Sequence, residues 1–170
     1  MRNTAFLVAL TLVGCARPLV PLNEALARLT PTPPEAPLSA KDSVLSLALE
    51  HVVVHGLPDY QPRPRVVISR DRGFASARVL PRLPSITFYM IDSNQIQALA
   101  DRYGSLEYLL VGSATAQGDS ATADIGYDFV VRRHPGRGPV ALGGGGGCYW
   151  ILRRHDHVWQ IERLGGCAVS

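Results

Sequence analysis

Lysine is nearly missing from this chain: Lys41 stands alone against sixteen arginines among the 17 basic residues. Arginine suits bidentate carboxylate and phosphate contacts, but so uniform a bias reads more simply as coding composition. The formal charge of +3 is spread, with basic residues scattered from Arg63 to Arg163. A nucleic-acid interface needs a basic stripe with interleaved aromatics, and none is written here. No apolar run approaches the roughly 20 residues that span a bilayer. Three cysteines without CxxC or Cys-His spacing give no zinc motif. Gly143 to Gly147 lacks a following Gly-Lys-Ser/Thr and precedes a strand, which excludes a phosphate loop. Ser43, Ser113 and Ser120 lack a Gly-x-Ser-x-Gly elbow, and neither Cys148 nor Cys167 has a diagnostic catalytic context. The sequence calls for no cofactor.

What is present begins at the start. Arg2 supplies a positive n-region, Ala5 to Val13 is almost wholly apolar, and Leu12-Val13-Gly14-Cys15 closes the run with small residues before a cysteine. The length fits an export signal better than a membrane helix. Leu-Val-Gly-Cys resembles the lipobox of bacterial lipoproteins, and the resemblance implies that Cys15 becomes the first mature residue and carries the lipid, palmitate included. Ala16 follows Cys15. In a Gram-negative host, the absence of Asp there goes with sorting to the outer membrane, facing the periplasm. The alternative is an ordinary secretory signal with an incidental cysteine.

Signal 1–14, a Pro-rich tether 15–40 and one domain 41–170 follow from composition. Ala16 to Ala40 holds six of thirteen prolines, the make-up of a semi-rigid extended spacer, with room for a helical turn over Asn23 to Leu29. About 130 packed residues make one domain that folds without metal or bridges. With Cys15 given to lipid, Cys148 and Cys167 remain as an even pair in an exported chain, and a disulfide between them is plausible.

Helices are predicted over Ala40 to His55, with Ser39 and Asp42 as an approximate capping box, and over Ser93 to Tyr103, with Asp92 and Gln95 as cap. Leu45, Ala48, Leu49 and Val52 form the apolar stripe of the first. Between them, Arg65 to Ser69 and Ile86 to Ile91 read as extended pieces, and Asp71-Arg72-Gly73 as a turn. Leu106 to Ala116 and Ala121 to Arg133 flank the turn Gln117-Gly118-Asp119-Ser120, and Cys148 to Arg154 pairs with Val158 to Leu164 across His155-Asp156-His157. The stretch from His134 to Gly147 reads as a mobile Pro/Gly loop.

The expected class is therefore α+β: two helices packed against one face of a curved, mainly antiparallel sheet ending in a four-stranded meander, with a small β-barrel as alternative. The order of elements, and Tyr149-Trp150-Ile151-Leu152-Arg153-Arg154, turn, Val158-Trp159-Gln160-Ile161, resemble the cystatin-like and nuclear-transport-factor-2-like superfamily. That resemblance implies a pocket between sheet and helices.

No catalytic or metal set is assigned. Asp124 and Asp128 share the strand face opposite the aromatics, with Glu107, Arg153, Arg154 and Glu162 nearby, and are the candidates for a general base if that face lines a pocket. Facing water, they would form cross-strand ion pairs. His51 and His55, four apart on a helix, are the candidate metal ligands, though two ligands do not make a site. His155 and His157, with His134, could form an exposed metal or pH-sensitive patch, but Asp156 between them reads first as turn chemistry. The expectation is a membrane-anchored envelope lipoprotein with a noncatalytic domain that binds a small apolar ligand or an envelope protein. The alternatives are a small-pocket enzyme of the isomerase or hydrolase kind, and a structural or assembly role.

Overall fold

A computed structural model describes residues 22–133 and 144–169. The export signal over 1–14, the lipid site at Cys15 and most of the Pro/Gly loop, His134 included, lie outside the described residues. Among the described residues, no helix is long and apolar enough to cross a membrane.

Among the described residues three α-helices form, α1 (Leu22–Ala27), α2 (Ala40–His55) and α3 (Ser93–Tyr103), with one 3-10 turn, Ala77–Val79. Both expected capping boxes are present. The Asp42 backbone N–H donates to Ser39 Oγ at 3.1 Å and the Ser39 N–H returns a bond to Asp42 Oδ2 at 3.0 Å. Asp92 and Gln95 exchange the equivalent pair at the head of α3. Each pair satisfies N–H groups that a helix start leaves unpartnered. Gly56 ends α2 by donating its N–H to the Val52 carbonyl at 2.7 Å. Val44 and Val53 join the predicted stripe, so α2 buries a wider face than a two-column seam.

Among the described residues six strands form one open sheet in the order β2 (Thr87–Ile91), β1 (Arg65–Gly73), β3 (Ser105–Gln117), β4 (Ser120–Val131), β5 (Gly146–His155), β6 (Val158–Val169). The α+β class and the four-stranded meander β3 to β6 are as expected; the closed-barrel alternative is not what forms. Two features differ from expectation. β1 runs parallel to both neighbours, β2 and β3: the connection over residues 74–86 returns the chain from β1 to the start of β2, and α3 carries it from β2 back over β1 to β3, the two crossovers that parallel pairing needs. The helices also lie on opposite faces. α2 packs on the inner face against Ile68, Leu109, Ile125 and Leu152, whereas α1 and α3 pack on the outer face against Val67, Tyr89, Leu106 and Tyr108.

Asp71-Arg72-Gly73 is not a turn. β1 continues through it as a wide irregularity, with Ile68 opposite Leu109 and Gly73 already opposite Val111. Gly73 has φ +90°, and a Cβ there would lie 2.2 Å from the Val111 carbonyl oxygen, so the turn-like glycine serves a bulge. By contrast the His155 to Val158 hairpin closes as read. Asp156 and His157 have φ of 47° and 66°, the two left-handed residues of a type I′ turn.

The Pro-rich stretch read as a tether lies against the domain over its described part. α1, close to the expected helical turn, buries Leu26 to 3% exposure in the outer-face core. Beyond it, the Thr32 N–H donates to the Phe88 carbonyl at 2.8 Å and Thr32 Oγ1 accepts from the Met90 N–H at 3.1 Å. Extended proline-rich backbone keeps a free N–H wherever it is not proline, and here the Thr32 N–H and hydroxyl oxygen cap the β2 edge.

Cys148 and Cys167 are directly opposed in β5 and β6 and are bridged, with Cα atoms 4.1 Å apart.

Candidate functional site on the outer face of the meander

Strand alternation sends Leu109, Ile125 and Leu152 to the inner face under α2, and so sends Leu110, Gly126 and Gly147 outward. α3 covers the outer face only as far as Leu106 and Tyr108. Beyond it, none of the described elements packs on the outer face of β3 to β6. Leu110, Gly126, Gly147 and Ala168 stand in register across four strands and floor two adjoining cavities of about 420 and 480 Å³. The Tyr149 ring lies over Gly165 and Gly166; a Cβ on Gly165 would come within 2.0 Å of the ring. Glycine there lets the ring lie flat, which makes Tyr149 the wall on the β6 side.

Both candidate aspartates line this groove, Asp128 in one cavity and Asp124 in the other. Neither is free. Asp124 is exposed and accepts from Ser113 Oγ at 2.9 Å across a bulge in β3. Asp128 is mostly buried and accepts at Oδ2 from Arg72 Nη1 at 2.7 Å and from the Tyr108 hydroxyl at 2.9 Å. Its Oδ1 accepts from the Phe129 N–H at 2.8 Å. Arg72 also donates to the Tyr108 oxygen and lies over that ring, 5.9 Å from its centroid. Burial pushes the Tyr108 phenol up to about 12, with the bond to Asp128 adding to it, so it stays a neutral donor. The Asp128 bond raises the Arg72 guanidinium further above its ordinary value. Asp128 thus has three of its roughly four acceptor sites engaged, whereas exposed Asp124 accepts the one bond from Ser113.

Arg72 and Tyr108 escape a reading of the sequence. Tyr108 shares alternation with Leu106 and Leu110, which marks it as outer-face, but only the β3 to β4 register puts it opposite Asp128. Arg72 reaches the groove because the bulge displaces it.

The other charges expected near the aspartates are placed apart from them. Glu107 points to the inner face, where Arg63 Nη2 lies 2.5 Å from its buried Oε2; the contact is an ion pair without hydrogen-bond alignment. Nearby, the Tyr127 hydroxyl donates to Asp59 at 3.3 Å, and burial pushes the Tyr60 phenol up to about 12. Arg153 pairs with Glu162 at 3.1 Å and Arg154 with Asp119 at 3.0 Å, cross-strand contacts at the far end of the meander.

His51 and His55 do meet, with ring centroids 4.6 Å apart, and His51 abuts the edge of Trp150 at 6.0 Å. They line a third cavity of about 440 Å³ walled by the disulfide, with Arg163 at its rim. Burial, then the neighbouring His55, lowers the His51 pKa. No set of three or more His, Cys, Asp and Glu side chains suited to a metal occurs among the described residues. His155 and His157 are exposed in their turn. Compared with protein-family models, curated proteins and solved structures, the chain matches none.

Proposed function

We propose that this chain is an exported lipoprotein, anchored to the cell envelope through a lipid on Cys15, whose domain holds an apolar ligand or a segment of an envelope partner in the outer-face groove without chemical turnover. In a Gram-negative host the anchor sits in the outer membrane, facing the periplasm. The lipobox-like Leu12-Val13-Gly14-Cys15 supports the anchor. One observation carries the binding reading: the groove has a floor of glycine, alanine and leucine, with Asp128 engaged by Arg72 and Tyr108 and Asp124 by Ser113. A concave, mostly apolar surface with a few fixed polar groups suits retention of a ligand.

The likeness to the cystatin-like and nuclear-transport-factor-2-like superfamily rests on α2 lying across a four-stranded meander. The enzyme reading, with Asp124 or Asp128 as base, requires Asp128 to give up Arg72 and Tyr108, or exposed Asp124 to act beside water. A role in assembly would use the exposed edge strand β6 with Val158, Leu164 and Val169.

Two measurements test the proposal. Intact mass of the natively expressed chain, beside Cys15→Ser, reads the anchor: a lipid-sized increment lost in the variant is expected, and an unmodified, soluble wild-type chain refutes it. Ala168→Leu reads the groove, since Ala168 lines both cavities, is exposed and already carries a Cβ. Binding of an environment-sensitive apolar dye should weaken about tenfold with the fold retained. Turnover found in a hydrolase and isomerase screen and abolished by Asp128→Asn or Asp124→Ala would replace the binding reading with the enzymatic one.

A further inference from the structure

The expected spacer between lipid and domain is much shorter than composition implied. Because α1 and the extended run after it are folded onto the domain, only six residues separate Cys15 from Leu22. The seven residue steps from Cys15 to Leu22 reach at most about 25 Å when fully extended. A domain held so closely keeps the side that carries α1 near the bilayer, and a second contact there would fix its orientation.

On that side lies the groove between α1 and α3, a cavity of about 310 Å³ lined by Arg28, Leu29, Leu99, Arg102 and Tyr103. Arg28 and Arg102 are exposed, and neither forms an ion pair among the described residues. The Arg102 guanidinium lies 5.8 Å from the centroid of the Tyr103 ring. Arg132, also exposed, donates from Nη2 to the Arg102 carbonyl at 2.9 Å and adds a third positive charge. Of the acids on these elements, Asp101 is neutralised by Arg133 at 2.5 Å, while exposed Glu24 on α1 subtracts one charge. Arg17, two residues beyond Cys15, adds one on the connecting stretch. Arginines flanking leucine and tyrosine are the make-up of a protein surface that settles into a headgroup layer, with the charges on phosphates and the aromatic ring at the interface.

We infer that the α1/α3 surface is the membrane-facing side of the domain and that it rests on anionic phospholipid headgroups through Arg28, Arg102 and Arg132. The inference of orientation builds on the lipoprotein reading; the affinity of the surface for anionic lipid does not depend on it. The pairing of a lipid anchor with a basic patch fixes orientation where the lipid alone leaves the domain free to swivel.

The test uses the chain from Cys15 onward with Cys15→Ser, so that no acyl chain contributes, in sedimentation with vesicles of phosphatidylcholine alone or mixed with phosphatidylglycerol. Binding to the mixed vesicles only, weakened by salt, is expected. Arg102→Glu should lower it by at least about fivefold, and Arg28→Glu with Arg102→Glu by at least about 25-fold. Arg163→Glu, the same charge change on β6 at the far edge of the sheet, should leave it nearly unchanged. Thermal melts confirm that these exposed substitutions leave the fold intact. Equal binding to both vesicle types, or equal loss from Arg163→Glu and Arg102→Glu, overturns the surface. A lipidated native chain together with either of those results leaves the anchor standing and removes the surface. An unlipidated native chain that still shows patch-dependent binding removes the anchor and upholds the surface.

Discussion

The two halves of the sheet are built on different terms. In β2 and β1, helices cover both faces, and four consecutive residues of each strand are buried: Val66 to Ser69 and Phe88 to Ile91. In β4, with α2 on one side and solvent on the other, buried Ala121, Ala123, Ile125 and Tyr127 alternate with less buried neighbours. Continuous apolar runs therefore report a doubly covered strand and alternation a singly covered one. The half with less core to hold it carries the disulfide, between β5 and β6. It also carries the outer face that no described element covers.

Four experiments break or sharpen that contrast. Leu106→Ala, buried on the outer face under α3, should lose about 2 to 5 kcal/mol in urea unfolding, whereas Ile151→Ala on the same face of the singly covered half should lose less than about 1 kcal/mol. Equal losses would erase the distinction. Replacing Cys148 and Cys167 together by alanine should cost about 3 kcal/mol on the chain-entropy view of a loop of this size. Hydrogen exchange should then rise first in β5 and β6; a uniform rise across the sheet would mean the bridge supports both halves alike.

Arg72→Met should cost about 1 kcal/mol, because the pair with Asp128 is half in water, and the cost should shrink with added salt. An unchanged melt at low salt would show that the outer-face network is ornamental to the fold. The smallest effect concerns pH. Tyr60 on the inner face and Tyr108 on the outer should form phenolates last, near pH 12, in absorbance titration of the folded chain. A folded pKa raised above the unfolded one means stability that is present below about pH 10 and is lost as pH rises through 12. Tyr108→Phe should remove its share of that alkaline loss; a profile unchanged in this variant would mean that Tyr108 is solvated.

Much of this architecture is legible from local chemistry. Ser39 with Asp42, and Asp92 with Gln95, place the helix starts because a cap acts within three residues of itself. Asp156 and His157 lie in the hairpin that the flanking strand pattern requires. The turn signal at Asp71-Arg72-Gly73 misleads, since glycine with positive φ serves a bulge as readily as a turn and only the Val111 carbonyl decides between them. The prolines of residues 31–37 mislead in a similar way: they write an extended chain, but not whether it stands in water or lies along β2. At the site, alternation alone puts Asp124 and Asp128 on one face. Their partners Ser113, Arg72 and Tyr108 come from strands whose register is not local.

The sequence by itself determined the helix boundaries, the meander with its inner and outer faces, and the cysteine pair available for bridging. These depend on periodicity, caps and composition, which act over a few residues. Only the tertiary structure decided that β1 lies parallel between β2 and β3, that α1 and α3 shelter one half of the outer face and leave the other bare, and that Asp128 is met by Arg72 and Tyr108. Those outcomes depend on contacts between residues from 20 to 56 positions apart, where burial and register across the whole sheet choose among pairings that local preference leaves equal.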